Sequence, residues 1–256
     1  MGRSAVAPST DPEATAYLEE LGSRLAESLG ERLMCAAAIG SYAMGTYERG
    51  RSDLDVIVIV DKPLTVSDWD AVVDTCSHEA LPCPAKKLEL VAYTRPQVAS
   101  PRRAQRWELN LNTGKGIRHA GHDPMAESWH WFVLDLAVAR LHSVTLAGEP
   151  AGELIGEVDD ELLKDAHSAN VQWHAVHHPD HRLMIASARA AIWREKRAWV
   201  SKREAWAWAK ELTDKRLGNP PAPAPPAASG SGSGAPGEAP AKGKGFGITA
   251  KSLPWK

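Results

Sequence analysis

The sequence predicts an α+β chain in three parts: a sheet with flanking helices over residues 1–120, an all-α bundle over 121–217, and a disordered tail over 218–256. Three observations carry that prediction. MCAAAIG (34–40), DLDVIVIV (53–60) and KKLELVAYT (86–94) are short apolar runs bounded by turn residues, which read as strands. Beyond Gly121 the apolar period becomes helical and stays so. From Pro220 the chain reads PPAPAPPAASGSGSGAPGEAPAKGKG, a Pro/Ala and Ser/Gly composition without the apolar residues to form a core.

In order, the first element is a helix begun by Asp11 and Pro12, with Leu18, Leu21, Leu25 and Leu29 forming one apolar stripe. WDAVVDTCSHEAL (69–81) is a helix between the second and third strands, and strand, strand, helix, strand is an α/β or α+β order with a mostly buried sheet. RWELNLNTG (106–114) adds a strand before NTGKGIRHAG (112–121), which reads as an interdomain turn. That stretch lacks the first glycine and the Ser/Thr of a phosphate-binding P-loop. Asp123 and Pro124 are suited to cap WHWFVLDLAVARLHSVTL, apolar nearly all round and hence a central helix ending near Gly148. DDELLKDAHSANVQWHAV, RLMIASARAAIWREKRAW and SKREAWAWAKELTDKRL complete the bundle.

Composition narrows the function. At 256 residues the chain buries a sizeable core, and a net charge of −2 provides no global positive field to hold a polyanion, so nucleic acid is not expected as a partner. Cys35, Cys76 and Cys83 are an odd number without metal-ligand spacing, read as reduced thiols of a cytoplasmic protein. The N-terminal stretch has no signal-peptide core and no later run could span a bilayer, so no membrane is expected.

Within IGSYAMGTYERGRSDLDVIVIV (39–60), two carboxylates stand at the mouth of a very apolar strand. Side chains two apart on a strand share a face, so Asp53 and Asp55 repel each other unless a cation lies between them. Mg²⁺ suits such a pair, since it takes oxygen ligands, keeps waters and is usually held by one or two carboxylates with substrate phosphates. Upstream, Gly40 and Ser41 follow a strand, where a missing Cβ, turn amides and a hydroxyl can hold phosphate oxygens. Glu89, inside a third strand, could ligate the metal or accept a proton from an attacking hydroxyl.

Gly-Ser, a spacer, Asp-Leu-Asp on a strand and a later strand Glu resemble the nucleotidyltransferase superfamily that shares its catalytic core with DNA polymerase β. LELVAYTRPQVASPRR and RLHSVTLAGEPAGELIGEV are similar to segments of the aminoglycoside adenylyltransferases that modify streptomycin and spectinomycin. The resemblance covers roughly residues 15–215. It implies a small mixed sheet followed by a helical substrate- and nucleotide-binding domain, acting on ATP with two Mg²⁺ ions and a small-molecule acceptor; a monomer is the expected state. It also implies that Gly40 and Ser41 bind the triphosphate, that Asp53, Asp55 and Glu89 form the metal and catalytic set with Glu89 as base, and that Lys202 and Arg189 face the nucleotide. Asp180, Trp173 and Trp107 then line the acceptor side.

Lys202 has a case of its own. Ser201-Lys-Arg-Glu204 reads as a capping box, which puts a lysine in the first turn of a helix, where the macrodipole disfavours cations unless an anion is near. The histidines of WHAVHHPDHR (173–182) read as a loop near the cleft, because Pro179 breaks the helix that would align them on a metal. The family's aromatic residue after WELNLNTG is replaced by Gly114, which weakens the case for streptomycin or spectinomycin. A polycationic acceptor asks for carboxylates, with Asp135, Asp180 and Glu108 as candidates. The alternatives are another hydroxylated acceptor, or a non-catalytic nucleotide-binding or antitoxin-like module of the same fold.

Overall fold

The structure, a computed structural model, describes residues 7–121, 123 and 127–216. The tail over 218–256 and the Pro124 helix start lie outside the described residues.

Helix α1 (Pro12–Leu29) begins where Asp11 accepts a hydrogen bond from the Ala14 N–H at 2.9 Å, and it buries Leu18, Leu21 and Leu25 completely or nearly so. Strands β1 (Leu33–Ile39), β2 (Leu54–Val60) and β3 (Leu88–Thr94) follow, with the short α2 (Gly40–Ala43) after β1 and α3 (Val66–Cys76) between β2 and β3. α3 starts and ends earlier than the apolar pattern suggests. A capping box between Thr65 and Asp68 fixes its first turn there.

After the short α4 (Arg95–Ala99), β4 (Leu109–Gly114) turns through Lys115 and Gly116 into β5 (Ile117–Gly121). The stretch read as an interdomain turn is therefore half strand: Gly116, at φ +72°, permits a two-residue hairpin loop. Helix α5 (Trp129–Leu141) stops seven residues before Gly148, and Val144–Gly148 forms β6. The β-branched Val144 and Thr145 pair with Ala38 and Ala37 of β1. The short α6 (Ala151–Leu154), then α7 (Asp160–His177), α8 (His181–Lys196) and α9 (Lys202–Arg216), complete the described chain.

The sheet runs β5-β4-β3-β2-β1-β6, with β2 and β3 parallel and the other neighbours antiparallel. This is the mixed sheet of an α+β fold. One face, through Ala36, Ala38, Val56, Val58, Leu88 and Leu90, packs on α1 and α3. The other, through Ile57, Ile59 and Tyr93, packs on Phe132 and Leu136 of α5. A third core ties α5 to α7 and α8 through Val133, Leu163 and Trp193. All three cysteines are buried and unpaired. Among the described residues no helix is long and apolar enough to cross a membrane.

His167 of α7 packs in a triangle of rings with Trp193 and Trp199, tilted on the first at 5.2 Å and stacked on the second at 5.6 Å. Burial, with the Arg189 charge adding to it, pushes its pKa down from 6.5 to about 4, so the folded protein keeps this ring neutral. A histidine that charges more readily unfolded than folded stabilises fully above its unfolded pKa and loses that contribution as the pH falls. About 3 kcal/mol should disappear between pH 6.5 and 4. Urea melts of wild type and His167→Phe across that window should differ in pH dependence by about this amount, since His174 and the raised Asp53 and Asp55 contribute alike to both.

Candidate active site

Alternation along β2 puts Asp55, Ile57 and Ile59 on the face that α5 covers, and along β3 it puts Lys87, Glu89, Val91 and Tyr93 there. Apolar residues hold the α5 end of both strands, and charges occupy the other. Asp55 is the register partner of Glu89 in the parallel ladder, and the row continues to Asn112 on β4 and His119 on β5. Asp53 immediately precedes β2.

Gly40, with φ +61°, is the first residue of α2 and lies directly against Asp55. A Cβ there would stand 2.1 Å from Asp55 Oδ2, so only glycine lets this carboxylate rest on the turn. Ser41 follows, half-buried, in the same turn.

The carboxylates act on one another. Burial, followed by the neighbouring Glu89 charge, raises the Asp55 pKa well above the usual carboxylate range, against the pull of Lys202. Asp53 is also raised, by burial and then Glu89, while Lys87, Lys86 and Lys202 oppose the shift. Lys202 thus acts on both aspartates from the first turn of α9, and the predicted capping box is present: Ser201 N–H donates to Glu204 Oε2 at 2.8 Å and Glu204 N–H to Ser201 Oγ at 3.2 Å. Arg189 of α8 faces Asp135 of α5 and Asp55, and its pKa is held down by burial despite both carboxylates. The helical part therefore delivers two cations to Asp55, one of which, Lys202, also acts on Asp53.

A hard divalent cation fits this arrangement. Asp53 Oδ1 is buried and accepts no hydrogen bond, Asp55 is cradled by Gly40, and both donors are carboxylate oxygens under mutual repulsion. Among the described residues no three His, Cys, Asp or Glu side chains gather into a metal cluster. Glu89 is instead ion-paired with the Lys87 ammonium.

The remaining predicted residues are placed differently from one another. Asp180 caps α8, accepting from the Arg182 N–H at 2.8 Å, and its bonds to the Arg182 guanidinium and backbone hold its pKa down at about 2. Trp173 is half-buried, stacked on His177 at 4.4 Å and edge-on to Trp131 at 5.3 Å, so the histidine-rich stretch forms an aromatic cluster with it. Trp107 requires a correction: at 3 % exposure it packs beneath α5 against Phe132, in the core rather than on a cleft wall. Glu108 is likewise structural, accepting from Leu64 N–H at 3.2 Å and Gln97 Nε2 at 2.7 Å. Sequence reasoning misses Lys87, Asn112 and Asn110. The available signal is strand alternation, which puts Lys87 on the face of Glu89.

The Gly40 turn thus lies against Asp55, Asp55 is the register partner of Glu89, and Asp53 immediately precedes the same strand. Residues 24–107 match the family model of the nucleotidyltransferase domain. That domain accounts for β1 through α4, including Gly40, Asp53, Asp55 and Glu89. The chain also shares its fold with the crystal structure of spectinomycin adenyltransferase AAD(9) from Enterococcus faecialis with ATP and spectinomycin. The TM-score is 0.61 at 14 % identity, over 80 % of this chain and 86 % of that one. The likeness thus extends past the nucleotidyltransferase domain into the helical part. No curated protein matches the chain in sequence.

Proposed function

We propose that this chain transfers an adenylyl group from Mg·ATP to a hydroxyl of a small molecule of the aminoglycoside type, releasing pyrophosphate. The observation that carries the reading is the register pairing of Asp55 with Glu89, with the Gly40 backbone against Asp55 and Lys202 and Arg189 both acting on Asp55. Spectinomycin adenyltransferase AAD(9), crystallised with ATP and spectinomycin, supports the substrate class.

In this reading Asp53 and Asp55 hold the Mg²⁺ ions, two by the family pattern, which when bound neutralise charge on the phosphates. Gly40 and Ser41 receive the triphosphate, and Lys202 and Arg189 offset its charge from the helical side. Glu89 takes the proton of the attacking hydroxyl. The acceptor oxygen forms a bond to the α-phosphorus as the bond to the pyrophosphate oxygen breaks. Residues 1–120 serve as the catalytic domain and 121–217 as the partner that holds nucleotide and acceptor, with Trp173 and Asp180 on the acceptor side. The enzyme works as a cytoplasmic monomer on small molecules, not on nucleic acid.

One observation favours a different hydroxylated acceptor. A Cβ at Gly114 would meet Lys86 O at 2.8 Å and Lys87 Cβ at 3.1 Å, so the space at that position is closed to the family's aromatic side chain. The test is pyrophosphate release from Mg·ATP across aminoglycosides and uncharged polyols. Release with an aminoglycoside supports the first reading, and release with polyols alone supports the second. Silence across both panels with ATP still bound would point to a binding module.

A further inference from the structure

Lys87 is the buried charge that the transfer reaction does not use. Its residue is only 8 % exposed, and its ammonium pairs with Glu89 Oε1 and donates to Asn112 Oδ1 at 3.1 Å. Asn112 and Asn110 are themselves 1 and 2 % exposed. Asn112 Nδ2 donates to Asn110 Oδ1 at 3.4 Å, and Asn110 Nδ2 to Glu127 Oε1 at 3.5 Å. The chain has one consistent direction. An ionised carboxylate only accepts, so Glu127 faces the Asn110 amino group; the Asn110 oxygen then faces the Asn112 amino group, leaving the Asn112 oxygen for an obligate donor. Lys87, with three donors and no acceptor, closes the chain and has an N–H left for Glu89.

We propose that Lys87, fixed by Asn112, Asn110 and Glu127, is a positioning residue that holds the Glu89 carboxylate out of the metal set and keeps it available as the base. The inference rests on the nucleotidyl-transfer reading and refines it: the protein ligands of the cation are Asp53 and Asp55, and Glu89 is base alone. It also accounts for a carboxylate that is the register partner of Asp55 and yet joins no three-residue cluster among the described residues.

The test is Mn²⁺ binding to the full chain, by the electron paramagnetic resonance of the free ion, in wild type, Lys87→Met, Glu89→Gln and the double variant. Thermal melts would confirm that each folds. Glu89→Gln alone should lower affinity modestly, by the loss of one neighbouring negative charge, and it is the reference against which the double variant is read. Lys87→Met should raise it about tenfold, the scale on which groups behind the metal ligands act, because the released carboxylate joins the ion. Glu89→Gln should cancel that gain in the double variant. A gain that survives intact in the double variant would reduce Lys87 to a nearby charge and overturn the inference, as would no gain at all.

Activity provides the second readout. With the acceptor found in the panel, Lys87→Met should lower kcat with little change in KM for ATP, and Lys87→Arg should restore part of it; a rise in KM alone would contradict a positioning role. If wild type binds no Mn²⁺, the Asp53 and Asp55 metal reading fails. The Lys87 inference then stands only if Lys87→Met acquires Mn²⁺ that the double variant lacks, and falls if neither binds.

Discussion

Asp55→Asn should yield a folded protein that has lost turnover by about 10³-fold, the upper end of what removing one preorganised electrostatic group costs. Stability should move the opposite way. The Asp55 carboxylate is held well above its usual pKa by burial and by Glu89, which means that its charged form opposes folding at neutral pH when no cation is present. A neutral amide of the same shape removes that opposition. The metal-free variant should therefore melt at or above the wild-type Tm, and added Mg²⁺ with ATP should raise its Tm less than that of wild type. Calorimetry with and without Mg·ATP, beside a turnover assay, checks both parts. An active Asp55→Asn protein would end the metal assignment.

Gly40→Ala should have the second largest effect, for a geometric reason. The φ of +61° costs an alanine about 1 kcal/mol, and its Cβ would lie 2.1 Å from Asp55 Oδ2, so either the turn or the carboxylate must move. Gly50 separates the two causes. It has φ +74° but nothing within 4 Å of where a Cβ would stand, so Gly50→Ala bears the backbone cost alone. Both variants should lose a few degrees of Tm, whereas only Gly40→Ala should lose activity, by about 10²-fold as expected for a misplacement on the ångström scale at a reacting centre. Equal activity loss in the two would show that the contact with Asp55 is irrelevant.

Much of the site can be read from the chain because its parts are local or follow from strand alternation. Asp53 and Asp55 share a face by spacing alone, and Glu89 stands out as a charge in a strand interior. The Ser201 capping box is a four-residue pattern, and it recurs intact at the start of α9. What escapes such reading depends on partners distant in sequence. β6 resembles the end of a helix because its pairing with β1 joins residues about a hundred positions apart, and no local period announces that. The β4–β5 hairpin is hidden by a Gly-Lys-Gly stretch that reads equally well as a connector. Trp107 shows the same limit from another side: an aromatic residue near a predicted site can belong to the core or to the cleft, and only packing against Phe132 decides which. Alternation puts Lys87 on the Glu89 face, but its amide partners lie beyond sequence reading, since they need two strands in register and the orientations of two amides.

If Asp53, Asp55 and Glu89 form one nucleotidyl-transfer site with Glu89 as its base, a single carboxylate-to-amide change should separate chemistry from binding. The decisive measurement is Mg²⁺-dependent pyrophosphate release from ATP, in wild type and Glu89→Gln, beside ATP affinity. Wild type should show acceptor-dependent release, and Glu89→Gln should lose that release with ATP affinity unchanged. Release that continues undiminished in Glu89→Gln would contradict the assignment of the base and, with it, the unity of the site.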